Sequence, residues 1–222
     1  MHVLNLFQYI MTSPCPNKKS PLNGPLIRAQ KINLSINGVR IFRDLSFKVG
    51  YNEIVCFAGP TGKGKSSLLK MLQGYILPDS GLIEIAGKNL DAGNIKEIRA
   101  MMSYIPQNIN LPVNNGTELL KMLRAADRTE LTKNIMQSLD MEGNMLSRPF
   151  DEMSGGQKQR IIIAICLSLD RDIILLDEPT SALDDKSTES LVKVIKDLSR
   201  KTIISASHNP IWIKSSDKTI LL

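Results

Sequence analysis

Gly59-Pro60-Thr61-Gly62-Lys63-Gly64-Lys65-Ser66 places glycines, lysines and a hydroxyl in the pattern G-x-x-x-x-G-K-[ST]. Glycines let a backbone fold around a chain of phosphates, so that main-chain N–H groups and a helix N-terminus face the negative oxygens. The pattern assigns Lys65 to the β- and γ-phosphates of a nucleotide and the Ser66 hydroxyl to Mg²⁺. Downstream, Ile173-Ile174-Leu175-Leu176-Asp177-Glu178 is an apolar run that ends in two carboxylates. Such a run reads as a buried strand, and its end is where ligands of open α/β sheets gather. Asp177 is expected to bind the Mg²⁺, directly or through water, and Glu178 to accept a proton from an attacking water as general base. A third element, Ser154-Gly155-Gly156-Gln157, stands before an apolar helical segment and offers a hydroxyl, exposed N–H groups and a helix N-terminus. That is a second anion site.

These residues need a frame. Glu53 to Gly59 is a continuous apolar run of strand length leading into the glycines, and Ser67 to Leu72 is helical in pattern after them. Leu26 to Ile36 and Val39 to Val49 alternate around Asn37-Gly38, which predicts an antiparallel hairpin. Further strands are expected at Leu82–Ala86, Met101–Ile105, Ile173–Leu176, Thr202–Ala206 and Lys218–Leu222. From Asn114 to Met141 the spacing turns helical, with Leu119, Leu120, Leu123, Leu131, Ile135 and Leu139 on the expected buried faces. Helices are also expected at Ile161–Leu169 and Lys186–Ser199. Strands alternating with helices predict an α/β core with a largely parallel sheet.

Composition narrows the class. The chain of 222 residues is long enough for one large domain, with or without an inserted subdomain. Its longest apolar run, Ile161 to Leu167, is well short of the ~18–20 residues of a membrane-spanning helix. The net charge of +6 suits an acidic partner such as nucleotide, nucleic acid or anionic lipid, and suits ordinary basic proteins equally. Cys15, Cys56 and Cys166 form no CxxC pair, so neither a disulfide framework nor a zinc site is indicated, and a reducing cytoplasm is the simplest home. Residues 1–25 read as a flexible leader: Met1 to Ile10 is apolar without a cleavage site, and Thr12 to Pro25 is proline-rich. A membrane-touching anchor and an extended start before Met11 are both open readings of it.

A chain with two phosphate-binding elements resembles a known family, the ABC (ATP-binding cassette) ATPases, from Leu26 to Leu222. Gly59 to Ser66 matches the Walker A motif, Gln107 in Tyr104-Ile105-Pro106-Gln107 the Q-loop, and Ser154 to Gln157 the signature. Asp177 and Glu178 complete Walker B, Ser181-Ala182-Leu183-Asp184 matches the D-loop, and His208 in Ser207-His208-Asn209-Pro210 the switch histidine. The resemblance implies a P-loop NTPase core with a mainly parallel sheet, an N-terminal antiparallel β subdomain and a helical insert at about 108–153, all within a domain of residues 26–222. It implies a catalytic set of Glu178, His208, Gln107 and Lys65. The nucleotide-contacting set would be Gly59, Pro60, Thr61, Gly62, Lys63, Gly64, Lys65, Ser66 and Ser67 with Ser154, Gly155, Gly156, Gln157 and Asp184. Ser66, Gln107 and Asp177 would serve Mg²⁺.

The resemblance further implies ATP as substrate and a head-to-tail pairing with a second copy, or a homologous cassette, so that one chain's signature closes over the other's P-loop. A separate transmembrane permease would dock near residues 107–149, at the cytoplasmic face of a bacterial inner membrane; no nucleic acid is expected. An ABC ATPase of a soluble complex, in DNA repair, translation or iron–sulfur assembly, is the alternative, and a simple P-loop kinase leaves Ser154 to Gln157 unexplained. The chain departs from the family at Ile36, where an aromatic usually stacks on adenine, which implies either reduced ATP affinity or a substitute platform such as Phe42. Met153 stands for Leu before the signature serine, Ile165 for Arg in the helix after it, and Lys63 and Ser67 for commoner P-loop residues.

Overall fold

The computed structural model describes residues 24–197 and 200–222. Apart from residues 24 and 25, the expected leader lies outside the described residues, as do both readings of it. The hairpin forms as the alternation predicts: β1 (Ile27–Ile36) and β2 (Val39–Val49) pair antiparallel. Asn37 and Gly38 both take positive φ, 51° and 78°, the backbone of a two-residue turn that follows the strands' own twist. β4 (Ser80–Ile85) joins the other edge of β1 and carries the two-residue β5 (Lys88–Asn89), giving an antiparallel sheet in the order β2-β1-β4-β5.

The second sheet is parallel throughout. It comprises β3 (Ile54–Ala58), β6 (Met102–Ile105), β7 (Ile173–Asp177), β8 (Thr202–Ser207) and β9 (Lys218–Leu221), in the order β6-β7-β8-β3-β9. Its alternate residues feed two different cores, as the two-residue period of a strand requires. Val55, Phe57, Ile173, Leu175 and Ile204 pack with the antiparallel sheet through α1 (Lys65–Leu72), whose Leu68, Leu69, Met71 and Leu72 are wholly buried. An eight-residue helix is not stable on its own propensity. Burial holds it, at roughly 1.5–3 kcal/mol for each large apolar side chain.

Cys56, Ala58, Ile174, Leu176 and Ile203 face the other way, into the helical core. That core is built from α3 (Gly116–Met122), α4 (Thr129–Ser138), α5 (Gly155–Ser168), α6 (Asp185–Asp197) and α7 (Pro210–Ser215). The free thiols Cys56 and Cys166 are both buried in it, and burial pushes the Cys166 thiol up to about 12. α5 is apolar all round from Ile161 to Leu167 because it runs through the middle of this core.

Three departures from the sequence expectations have local causes. Leu131 is 43% exposed although Ile135 and Leu139 are buried as expected. The inward stripe of α4 is Thr132, Ile135 and Met136. The Thr132 hydroxyl holds that stripe by bonding the Arg128 carbonyl and the Ser168 hydroxyl, both at 2.9 Å, which turns Leu131 outward. Phe42 is 5% exposed, packed inward beside Gly64, and presents no open face to a base. α2 (Ile95–Ala100) and α7 are helices of six residues, too short for a helical period to declare itself.

Candidate functional site

β3 ends against the glycine loop and α1 starts at Lys65, so the loop bridges a buried strand and a buried helix. Gly62 and Gly64 sit at φ 86° and 88°, where a side chain is disfavoured. At Gly64 there is no room either, since a Cβ would collide with Ile41 and come within 2.9 Å of the Phe42 ring. Pro60, Thr61, Gly62 and Lys63 form the exposed rim. Lys65 is buried, and its ammonium donates to the carbonyls of Gly59 (2.7 Å) and Pro60 (3.2 Å). It also lies 3.6 Å from Glu178 Oε1.

The register of the parallel sheet sets the carboxylates beside this loop. β7 lies one strand away from β3, across β8, and ends at Asp177. Ser66 Oγ donates to Asp177 Oδ1 at 3.0 Å, and the Tyr104 hydroxyl, from the neighbouring β6, donates to Oδ2 at 3.3 Å. Asp177 is only 4% exposed, and burial raises its carboxyl above the usual carboxylate range against the opposing effect of these two donors. The same burial, with Asp177 beside it, raises the Tyr104 phenol.

Glu178 follows in a left-handed backbone conformation, φ 51°, which for a residue with a Cβ costs about 1–2 kcal/mol. Its N–H donates to Ala206 O at 2.8 Å, and its carbonyl accepts from Ser181 N (3.2 Å) and from Gln159 Nε2 (3.3 Å). The turn throws the carboxylate back toward Lys65 and His208. Oε2 approaches His208 Nδ1 at 3.0 Å outside hydrogen-bond alignment, is buried, and accepts no hydrogen bond. The His208 side chain is 65% exposed. It is set by Asn209, whose side-chain oxygen accepts from Ile211 N and Trp212 N and so caps α7, with Pro210 at its first turn.

The remaining sequence-predicted residues occupy a second locus. Ser154 caps α5: its hydroxyl accepts from Gln157 N at 3.2 Å while Gln157 Oε1 accepts from Ser154 N at 3.0 Å. The hydroxyl proton stays free to donate to an anion. Ser154 and Gly155 are exposed, and Gly156 lies so close to the Ala182 carbonyl that a Cβ would come within 2.5 Å of it. Gln107 is exposed on a cavity of about 300 Å³ shared with Gly155, Lys158, Gln159 and Ser181. Asp184 is exposed; Ser187 N donates to its carboxylate at 2.7 Å and holds it below the ordinary carboxylate range. Ser67 is half-buried in α1.

The site brings Lys65, Ser66, Asp177, Glu178 and His208 together through direct contacts, and leaves the Ser154–Gln157 cap on another part of the surface. Sequence reasoning gave no role to Tyr104 or Gln159. Tyr104 stood in a quoted segment, but nothing in a strand pattern says which carboxylate its hydroxyl will meet. Among the described residues no cluster of three or more His, Cys, Asp or Glu could hold a metal ion.

A family model described as ABC transporter matches residues 42–181. The energy-coupling factor transporter ATP-binding protein EcfA of Enterococcus faecium is 33% identical over 198 residues, spanning 83% of this chain and 71% of that protein. The glycine betaine/carnitine/choline transport ATP-binding protein OpuCA of Bacillus subtilis is 33% identical over 196 residues, 83% of this chain. This chain spans about half the length of OpuCA, 52%. Among solved structures, a dimeric post-hydrolysis ATP-binding cassette bound to ADP and Pi shares the fold at a TM-score of 0.77 and 22% identity, covering 88% of this chain and 94% of that one.

Proposed function

Because this chain belongs to the ABC transporter family, as an ATP-binding and ATP-hydrolysing cassette, we propose that Glu178 is the general base of hydrolysis and that two copies enclose ATP between them head to tail. The observation that carries this is the Glu178 carboxylate, whose Oε2 is buried and without a hydrogen bond beside His208 while its Oε1 lies 3.6 Å from Lys65. A carboxylate oxygen in that state has a lone pair for the proton of an attacking water. Lys65 exchanges the Gly59 and Pro60 carbonyls for phosphate oxygens, and the glycine-loop N–H groups surround the rest. His208, exposed beside the base, contacts the γ-phosphate. Catalysis is then positioning and electrostatics, with no covalent intermediate on the protein.

The donor set fits Mg²⁺. Ser66 Oγ and the desolvated Asp177 carboxylate are hard oxygens 3.0 Å apart, and a site with few protein ligands suits an ion whose other ligands are phosphates and water. Ser66 and Asp177 would hold it, and the family resemblance would add Gln107; when bound it would neutralise charge on the phosphate oxygens. The Ser154 hydroxyl and the N–H groups of Gly155, Gly156 and Gln157 close over the ATP of the partner copy, with Asp184 alongside. The similar cassette bound to ADP and Pi is dimeric, which supports pairing with a second copy.

For transport we assign a separate membrane subunit as partner, docking over residues 107–149, where Leu131 lies exposed. No helix of the described residues is long and apolar enough to cross a membrane. The relatives' names as transport ATP-binding proteins support this reading, which puts the chain at the cytoplasmic face of a membrane, in bacteria the inner one. Glu178→Gln is the test. It should bind ATP normally, lower turnover by about 10²–10⁴-fold and run as an ATP-dependent dimer by size exclusion; wild-type turnover would remove Glu178 from the role.

A further inference from the structure

Gln159 lies in α5, two residues beyond the cap residue Gln157, between Lys158 and Arg160. Unlike them it is buried, 3% exposed. Its amide links α5 to two other segments: Nε2 donates to the Glu178 carbonyl, and Oε1 accepts from the Ala182 N–H, both at 3.3 Å. A primary amide carries its donor and acceptor in one rigid plane, so a single side chain fixes the spacing of the two backbone groups. Glu178 has need of such a tether. Its left-handed backbone persists only where the surroundings over-determine it, and here the anchors are Ala206 O, Ser181 N and Gln159. On the far side, the Ala182 carbonyl is packed against Gly156 of the same helix. The helix whose N-terminus carries Ser154–Gln157, the base, and the Ser181–Asp184 loop therefore meet through one side chain.

We propose that Gln159 is a positioning residue for hydrolysis, which sets the Glu178 carboxylate and the Ser181–Asp184 loop relative to the signature end of α5; this rests on Glu178 acting as the base. Gln159 makes no hydrogen bond to Lys65, Ser66 or Asp177. Its removal therefore changes turnover and leaves nucleotide affinity in place. A residue that merely filled space would move affinity, melting temperature and turnover together.

The experiment compares Gln159→Met, which keeps the volume and loses both bonds, with Gln159→Glu, which keeps the acceptor for Ala182 N–H and loses the donor to Glu178. Glu178→Gln is run in parallel. Titration with a fluorescent ATP analogue gives affinity, phosphate release gives kcat and KM, and circular dichroism gives the melting temperature. We expect kcat to fall about tenfold to a hundredfold in both Gln159 variants, as for a reacting group displaced by about an ångström, with affinity within about twofold of wild type. Wild-type kcat in Gln159→Met, or a loss of affinity that matches the loss of kcat in both variants, overturns the proposal. Unchanged turnover in Glu178→Gln instead overturns the general-base reading, so the two failures are told apart.

Discussion

A carboxylate taken out of water is held in place by what surrounds it, and Asp177 shows the consequence for stability. Its carboxyl is raised by burial, so the folded chain binds that proton more tightly than the unfolded chain does. The group favours the folded form below the ordinary aspartate range, and that contribution is lost as pH rises through the raised value. At neutral pH the buried charge is a net burden in the metal-free protein. Asp177→Asn, with a chelator present and no nucleotide, should melt at a higher temperature than wild type at pH 7, and the gain should shrink as pH is lowered toward 4; calorimetry across pH checks it. At Ile36, half-buried at the end of β1, Ile36→Tyr should tighten ATP binding. Base–aromatic stacking is worth ~1–3 kcal/mol, and titration calorimetry reads it. The glycine loop and the two carboxylates were legible because each stands at the end of an apolar run, whereas His208 was reached only through the resemblance to the family. Gln159 was not, because polar residues in a helix look alike until it is known which one points inward. Phe42 misled for a related reason: in an alternating strand an aromatic can serve the core as readily as a ligand.

At the scale of elements, short helices do positioning that their length would not suggest. α7 has six residues, begins at a capped Asn209-Pro210 step, and is pinned by the buried Trp212, whose indole N–H donates to Ser205 Oγ at 2.8 Å. Loss of an N-cap is worth about 0.5–2 kcal/mol. Asn209→Ala should therefore lower stability by about 1 kcal/mol in urea titration, and should lower turnover more than it lowers ATP affinity, since His208 is the preceding residue. The strands were legible from two signals, alternation in β1 and β2 and apolar runs in β3 and β7. α2 and α7 were hidden by brevity, and the outward turn of Leu131 by a threonine that satisfies its hydroxyl inside the core.

Over the whole molecule, the parallel sheet is a wall with a core on either side, and α1 ties the antiparallel sheet into one of them. Leu69→Ala removes a wholly buried side chain from that junction and should cost about 2–5 kcal/mol. The single tryptophan lies in the opposite core. If the wall makes one cooperative unit, Trp212 fluorescence and circular dichroism should give the same urea midpoint in this variant. Separate midpoints would mean that the two cores unfold independently. The unbroken apolar run of β3 predicted a strand buried on both faces, but which helices cover which face depended on chain crossings that no local pattern records. The same wall gives the protein a built-in stopwatch. Cys56 and Cys166 are sealed in the helical core with their thiols raised by burial, so alkylating reagents reach them only during openings of that core. In a Cys15→Ser background, the rate at which the chain takes up label would time those openings directly, and its slowing on addition of ATP would report how far nucleotide, bound at the edge of the sheet, quiets the interior behind it.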